Sequence, residues 1–113
     1  MLCDDDFIQA LNATHRNKDK PTDVLSFPQG DPLVLGDIVI SLDTANRQAE
    51  AVGWSLRNEV ILLAIHGTLH LIGYDDETIE GAVQMRDKSA EILKRADIDL
   101  PHGQTHPYFV EYI

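Results

Sequence analysis

The most informative stretch of this 113-residue chain is His66-Gly67-Thr68-Leu69-His70-Leu71-Ile72-Gly73-Tyr74-Asp75-Asp76. It follows Val60-Ile61-Leu62-Leu63-Ala64-Ile65, a run that is apolar on every side and therefore predicts a buried helix. Histidines four residues apart on a helix project from the same side, about 6 Å apart along the axis. The spacing predicts two imidazoles that share one metal ion.

A carboxylate follows the two histidines at an offset that suits a third ligand. Gly73 stands where a helix commonly ends in a left-handed residue, so the chain can reverse there and return toward the histidines. The pattern H-x-x-x-H-x-x-G-x-x-D gives the ligand role to Asp76 rather than Asp75. Three protein ligands of nitrogen and oxygen with one open position are typical of a catalytic zinc site. We therefore expect one Zn²⁺ held by His66, His70 and Asp76.

The same residues also have simpler interpretations. A histidine in a buried helix is commonly a hydrogen-bonded core residue, and a glycine at this place is commonly just a helix C-cap. Asp75-Asp76-Glu77 also match the acidic first turn of a following helix. The combination of two histidines, a reversing glycine and a correctly spaced carboxylate favours the metal site.

Composition limits the class of protein. The chain has 43% hydrophobic and 25% charged residues, which predicts one small globular domain over residues 1–113. Its longest apolar run is far shorter than the roughly 20 residues that span a bilayer, so we expect a cytoplasmic protein with no membrane partner. Cys3 is the only cysteine, which excludes an internal disulfide and a thiolate zinc site. The net charge of −10 argues against non-specific coating of nucleic acid.

Periodicity and turn residues predict the order of the elements. We expect a helix, a loop with a basic cluster, two antiparallel strands joined by a long turn, and three more helices. Their ranges are Asp4–Thr14, 15–23, Val24–Phe27, Gly36–Ile40, Ser41–Val52, a central helix from Leu56 through both histidines, and Glu77–Ala96. Pro28 should close the first strand, and Ser55 should cap the central helix. From about residue 98 the pattern dissolves into a loose tail.

Three blocks of sequence stand in a specific order. The first runs from Leu11 to Pro28 and contains Arg16 and Thr22-Asp23-Val24-Leu25-Ser26-Phe27; the second is Gly36-Asp37-Ile38; the third is His66–Asp75. Together they strongly resemble the YbeY family of metal-dependent endoribonucleases, the ribosomal RNA maturation factors of bacteria. The resemblance extends from about Asp5 to about Leu93.

This resemblance implies an α+β fold, in which a small mixed β-sheet packs with helices and the H-x-x-x-H helix is buried at the centre in a zincin-like arrangement. It implies zinc-dependent cleavage of single-stranded RNA, a role in small-subunit ribosomal RNA processing and ribosome quality control, and ribosomal RNA and the small ribosomal subunit as partners. By position, His66 and His70 match the first two metal ligands of the family. Arg16 matches the arginine that is thought to serve the substrate, so the basic loop becomes a phosphate-facing site rather than a solvated turn.

The chain departs from the family pattern in two ways. The third ligand of the family is usually histidine, whereas this chain has Asp76, whose negative charge should make the ion a weaker electrophile. Family members also commonly carry a strand and a helix before the region where this chain starts. We therefore expect that this N-terminal strand and helix are missing and that the sheet has an uncovered edge.

The leading hypothesis is a zinc-dependent endoribonuclease in which the ion activates water and Arg16 holds the phosphate. A zinc protease needs a glutamate directly after the first histidine, where this chain has Gly67, so peptide hydrolysis is the weaker enzyme hypothesis. Asp75 and Glu77 are candidate general bases. Two alternatives remain: a ribosome- or RNA-binding module with weak or no catalysis because of Asp76, and a metal-dependent hydrolase of a small molecule or peptide.

Overall fold

The computed structural model describes residues 1–31 and 34–98, and within them the chain forms four helices and a three-stranded sheet. The elements are β1 (Leu2–Cys3), α1 (Asp5–Arg16), β2 (Val24–Asp31), β3 (Val34–Ser41), α2 (Leu42–Val52), α3 (Leu56–Leu71) and α4 (Ile79–Arg95). No helix in this part of the chain is long and apolar enough to cross a membrane. The loose tail expected from about residue 98 lies outside the described residues.

The sheet contains both parallel and antiparallel pairs of strands, as the predicted mixed sheet requires. Across the described residues the strand order is β1-β3-β2, with β3 parallel to β1 and antiparallel to β2. The predicted fold class, a small mixed sheet packed with helices, is confirmed. The β1 strand was not predicted, because two residues are too few to show a period.

The β2–β3 pair is longer than the sequence analysis predicted. Pro28 was expected to close the first strand, but β2 continues to Asp31, and Pro28 pairs with Gly36. An edge strand such as β2 tolerates proline, because the position that lacks an N–H can face away from the ladder. The prediction of a long turn over Gln29–Leu35 was therefore wrong, since Asp31 already pairs with Val34.

Helices cover both faces of the sheet. One face carries the buried cluster of Ile8, Leu25 and Val39. The opposite face carries the buried cluster of Ile40, Ala45 and Leu63. Because successive residues of a strand point to opposite faces, α1 lies on one side of β2 and β3, and α2 and α3 lie on the other. The α4 helix packs against α3, which places the predicted histidine helix at the centre.

The α2 and α3 helices are both capped, and the cap predicted at Ser55 is confirmed. The hydroxyl of Ser41 accepts a hydrogen bond from the N–H of Thr44, and α2 ends at Gly53 in a left-handed conformation with φ 81°. Ser55 caps α3 in the same way, because its hydroxyl accepts from the N–H of Asn58 at 3.1 Å. The helix that carries both histidines therefore begins where the sequence indicated.

The C-terminal end of α1 differs from the prediction. His15 and Arg16 were assigned to a loop, but they form the last turn of the helix, which ends at Asn17 with φ 58°. Basic side chains are favourable there because they face the negative end of the helix dipole. Arg16 is consequently anchored on a helix rather than carried on a loop.

Asp5 joins the start of α1 to the end of β3 and to α2. Its carboxylate accepts hydrogen bonds from Ser41 Oγ and Thr44 Oγ1, both at 2.6 Å, and Arg47 Nη2 lies 2.7 Å away. The hydrogen bonds from Ser41 and Thr44, with a further contribution from Arg47, lower the pKa of Asp5 from 3.8 to about 2. The Asp5 side chain is 22% exposed, so solvent screens these contacts only in part. Folding therefore favours the charged carboxylate.

Protonation of Asp5 should weaken the fold at acidic pH. Because the pKa is lower in the folded state, the stabilisation is complete above about pH 4 and is lost as the pH falls toward about 2. The difference between the pKa values of 3.8 and about 2 corresponds to at most about 2.5 kcal/mol. We expect Asp5→Asn to lower the free energy of unfolding by up to that amount at about pH 6, and to flatten its dependence on pH below about 4, in urea denaturation.

Asp6→Asn is the matched control for Asp5→Asn, because it removes the neighbouring charge of the same helix turn at an exposed position. This control should keep the wild-type dependence of stability on pH. A dependence on pH that is the same in Asp5→Asn and in the wild type would contradict the role given to the Asp5 hydrogen bonds.

Candidate metal centre

Three ligand atoms converge at the C-terminal end of α3. His66 Nε2 lies 3.1 Å from His70 Nε2, and Asp76 Oδ2 lies 3.6 Å from the first and 3.7 Å from the second. The point in their plane that is equidistant from these atoms lies about 2.0 Å from each, which is the usual bond length of zinc to imidazole nitrogen and carboxylate oxygen. These three residues, the candidate metal centre, could hold one ion.

The two imidazoles differ in burial. Their ring centroids are 4.7 Å apart and the ring planes are at 82°. The side chain of His66 is 8% exposed, that of His70 is 32% exposed and that of Asp76 is 42% exposed. The centre is therefore closed on the side of His66 and open on the side of Asp76, where a substrate has access.

A backbone carbonyl orients the ring of His70. The Nδ1 atom lies 3.2 Å from the carbonyl oxygen of Tyr74. Because a carbonyl only accepts hydrogen bonds, Nδ1–H is the donor, and the lone pair of the neutral ring is then on Nε2. This nitrogen faces His66 and Asp76. Metal-binding histidines commonly have such an outer hydrogen bond, which fixes the tautomer.

The segment after α3 returns Asp76 to the histidines. The backbone reverses at Gly73, where φ is 108°, and the N–H of Tyr74 donates to the carbonyl oxygen of Leu69 at 2.9 Å. The next helix starts only after its cap, Thr78. Asp75–Glu77 therefore lie in the ligand loop, which we define as residues 73–78, and not in the acidic first turn of a helix. The predicted reversal at glycine is confirmed.

Gly81 lets the ligand loop pack closely against α4. A β-carbon at this position would lie 2.0 Å from the carbonyl oxygen of Asp75 and 3.0 Å from Thr78 Oγ1. Thr78 Oγ1 in turn accepts a hydrogen bond from the N–H of Gly81 at 3.0 Å. A side chain at position 81 would push away the residue that precedes Asp76, so this glycine helps to place the third ligand.

Gly81→Ala should therefore weaken metal binding. The added methyl group must displace the ligand loop, at a cost of about 1–3 kcal/mol for overpacking, and the gain of about 1 kcal/mol in helix propensity does not compensate for a misplaced ligand. We expect the zinc affinity to fall about tenfold or more, in competition with a chromophoric chelator. Gly53→Ala is the control for a destabilising glycine substitution away from the metal centre: its φ of 81° makes a side chain strained, but a β-carbon there has no atom within 4 Å, so it should lower stability without changing zinc affinity. Equal zinc affinity in Gly81→Ala and wild type would refute this role.

The candidate metal centre opens into a cleft of about 420 Å³. Arg16 and Ser26 line this cleft together with His66, His70 and Asp76. The structure thus brings all four predicted site residues to one place, although Arg16 comes from a helix on the opposite face of the sheet. Arg16 therefore shares the cleft with the three candidate ligands.

Arg16 uses few of its hydrogen-bond donors within the part of the chain that the structure describes. Its Nη2 donates to the carbonyl oxygen of Ser26 at 3.1 Å, and within residues 1–31 and 34–98 its guanidinium makes no other hydrogen bond or ion pair. A guanidinium has five N–H donors in a planar fork, which matches the oxygens of a phosphate group. The side chain is therefore anchored at one nitrogen and able to bind an anion with the others.

The carboxylate that lines the cleft beside the candidate metal ligands is not one of the two predicted candidate bases, Asp75 and Glu77. Asp23, which the sequence analysis did not assign to the site, lines the cleft, and its carboxylate accepts hydrogen bonds from the N–H of Val24 and from Gln48 Nε2. The signal for it was its place in the Thr-Asp-Val-Leu-Ser-Phe block. The candidate bases Asp75 and Glu77 do not line the cleft; Asp75 lines a second cavity against α4, and its Oδ1 accepts from the N–H of Glu77.

These features define an α+β protein whose central helix and following loop present a candidate metal centre of two histidines and one carboxylate in an open cleft. The family model described as Endoribonuclease YbeY matches residues 1–97. The chain belongs to the YbeY family.

Individual relatives agree with this assignment. Endoribonuclease YbeY of Rhodopseudomonas palustris is 47% identical over 111 residues, covering 91% of this chain and 58% of that protein. Endoribonuclease YbeY of Nautilia profundicola is 52% identical over 100 residues, covering 87% of this chain and 70% of that protein. The solution structure of a Thermotoga maritima protein superposes with a TM-score of 0.56 at 30% identity, over 93% of this chain and 76% of that one. The chain thus spans little more than half the length of some curated relatives.

Proposed function

We propose that this protein is a zinc-dependent endoribonuclease that cleaves single-stranded RNA. The observation that carries the proposal is the convergence of His66 Nε2, His70 Nε2 and Asp76 Oδ2 on one point, in a cleft that also holds Arg16. The curated relatives named above are endoribonucleases, and the part of the chain that matches the family includes all four residues.

The chemistry of the donors favours zinc over Mg²⁺ and Ca²⁺. Two of the three donors are imidazole nitrogens, which zinc binds readily, whereas Mg²⁺ and Ca²⁺ prefer oxygen ligands. Two histidines with one carboxylate are also a donor set of catalytic zinc sites.

Different residues of the chain have different roles in phosphodiester cleavage. When bound, the ion supplies a Lewis acid that polarises a phosphoryl oxygen and makes water more acidic. His66, His70 and Asp76 hold it, and the carbonyl of Tyr74 keeps Nε2 of His70 free of a proton. Arg16 would bind the phosphate through its free donors and stabilise the negative charge that grows in the transition state.

We further propose that the cellular substrate is ribosomal RNA. Residues 1–113 would then act as a single catalytic domain in small-subunit ribosomal RNA processing and ribosome maturation, in the cytoplasm and in contact with the small ribosomal subunit. Family membership supports this part of the proposal. Since the chain has a net charge of −10, RNA should be bound locally at the cleft rather than over a broad basic surface.

Metal analysis followed by an RNA cleavage assay tests the proposal. The purified protein is dialysed, its metal content is determined by elemental analysis, and the metal is then removed with a chelator and replaced with Zn²⁺. Cleavage of an end-labelled single-stranded RNA is compared with that of the same sequence in a duplex. We expect one zinc ion per chain and cleavage of the single strand that is lost with the metal and restored by zinc.

Other outcomes would select the alternatives. Binding of RNA without cleavage at full zinc occupancy would support a ribosome- or RNA-binding module. Stoichiometric zinc without affinity for RNA would support a hydrolase of small molecules or peptides. Either result would contradict the proposed endoribonuclease.

A further inference from the structure

We infer that Ser26 is a positioning residue that sets where Arg16 lies relative to the candidate metal centre. The inference rests on the proposed function and deepens it, because it gives a role to a cleft residue that has no charge. Arg16 and the two histidines lie on opposite sides of the sheet, so a contact between the two sides is needed to fix their relative position.

The arginine and the histidines belong to different layers of the fold. Arg16 ends α1, which packs on the face of the sheet that carries Leu25 and Val39. His66 and His70 lie on α3, which packs on the face that carries Ile40. The edge strand β2 lies between Arg16 and these histidines.

Ser26 of β2 makes a hydrogen bond to each layer. Its carbonyl oxygen accepts from Arg16 Nη2 at 3.1 Å. Its hydroxyl donates to the carbonyl oxygen of Gly67 at 3.0 Å, and Gly67 is the residue that follows His66. Ser26 is itself held in the sheet opposite Ile38 of β3. One residue therefore contacts both the arginine and the histidine helix, through two different atoms.

The contact at Gly67 is a close approach of helix and sheet. A β-carbon at Gly67 would lie 3.0 Å from Ile38 Cγ2, 3.1 Å from Ser26 Oγ and 3.3 Å from Val24 Cγ2. Apolar packing of this kind fixes how near the helix lies but has little directional preference, whereas a hydrogen bond depends on direction. The Ser26 hydroxyl therefore fixes the position of α3 along the strand. A shift of about 1 Å between catalytic groups can cost about a hundredfold in rate.

A purely structural role for the same hydroxyl makes a different prediction. If Ser26 only contributes to stability, its loss should weaken folding, and its effect on cleavage should not depend on Arg16. If Ser26 positions Arg16, removing the hydroxyl should matter only while the arginine is present. A double-mutant cycle separates these two possibilities.

The experiment uses the zinc-loaded full chain as wild type, Ser26→Ala, Arg16→Ala and the double variant. We measure kcat and KM for a single-stranded RNA, the Kd for a 2′-O-methyl RNA of the same sequence, and the Kd for zinc by chelator competition. We expect Ser26→Ala to lower kcat about tenfold or more with a zinc Kd within about twofold of wild type. In the Arg16→Ala background it should cost less than about twofold. Ser26→Thr, which keeps the hydroxyl, should restore most of kcat.

Ser89→Ala is the control for loss of a buried serine hydroxyl, because Ser89 is buried in α4 and does not line the cleft. A loss of kcat in Ser26→Ala no larger than in Ser89→Ala would overturn the inference. It would also be overturned if the fold-loss of kcat in the double variant equals the product of the losses in Ser26→Ala and Arg16→Ala. If the wild type binds RNA but does not cleave it, the proposed function fails, and the cycle of binding constants still decides the role of Ser26. Absence of both activities would overturn both.

Discussion

His70→Ala is expected to abolish tight zinc binding and RNA cleavage together. His70 provides one of three ligand atoms, and the remaining pair, His66 and Asp76, cannot enclose an ion. Loss of an outer hydrogen-bond partner alone costs about 10–100-fold in metal affinity, so loss of the ligand itself should cost about 1,000-fold or more. The zinc Kd is measured by chelator competition, and cleavage of single-stranded RNA should fall to the level of the metal-free wild type.

The matched control is His15→Ala. His15 is an exposed histidine at the end of α1 whose ring lies edge-on to Phe27 at 5.2 Å between centroids, outside the metal centre. The His15→Ala variant should keep the zinc affinity and the RNA cleavage rate of the wild type. Zinc should also raise the melting temperature of wild type and of His15→Ala but not that of His70→Ala, because ligand binding stabilises only the state that binds it. Stoichiometric zinc and cleavage above about a tenth of wild type in His70→Ala would show that the metal lies elsewhere.

The ligands of the candidate metal centre were predictable because their determinants are local in sequence. The four-residue spacing of His66 and His70 needs only a helix, which the apolar run before them and the cap at Ser55 predict. The return of Asp76 needs only a reversal at Gly73, a residue that adopts positive φ at little cost. Local propensity and tertiary structure agree over this stretch, so the convergence of these three side chains follows from the local sequence.

The positions of Ser26 and Arg16 in the cleft could not be predicted in this way, because they depend on contacts between residues that are distant in sequence. The hydrogen bond from Ser26 to Gly67 joins residues 41 positions apart, and nothing in the local pattern of either residue indicates it. Arg16 was identified through family resemblance, while its local pattern favoured a solvated loop. The extension of β2 past Pro28 likewise depends on the strand being at an edge, which is a property of the sheet order.

Arg16→Ala is expected to lower kcat for RNA cleavage about 100- to 1,000-fold with no change in zinc affinity. Removing one preorganised donor that faces a developing negative charge costs about that much in other enzymes. Zinc affinity should be unaffected because Arg16 is not one of the three candidate ligands and its guanidinium donates to the carbonyl of Ser26. Arg16→Lys keeps the positive charge but not the planar fork. Its kcat should therefore be only about tenfold higher than that of Arg16→Ala. Steady-state kinetics on a single-stranded RNA measure both variants.

The Arg16→Ala result needs a control for the loss of positive charge in general. The chain has a net charge of −10, so any lost cation could weaken RNA binding. Arg57→Ala removes the same charge from an exposed position in the first turn of α3 and should change kcat and KM by less than about twofold. Comparable losses in both variants would mean that overall charge governs the rate. A rise in KM with unchanged kcat in Arg16→Ala would mean that Arg16 binds substrate and transition state equally, and the charge-stabilising role would then be wrong.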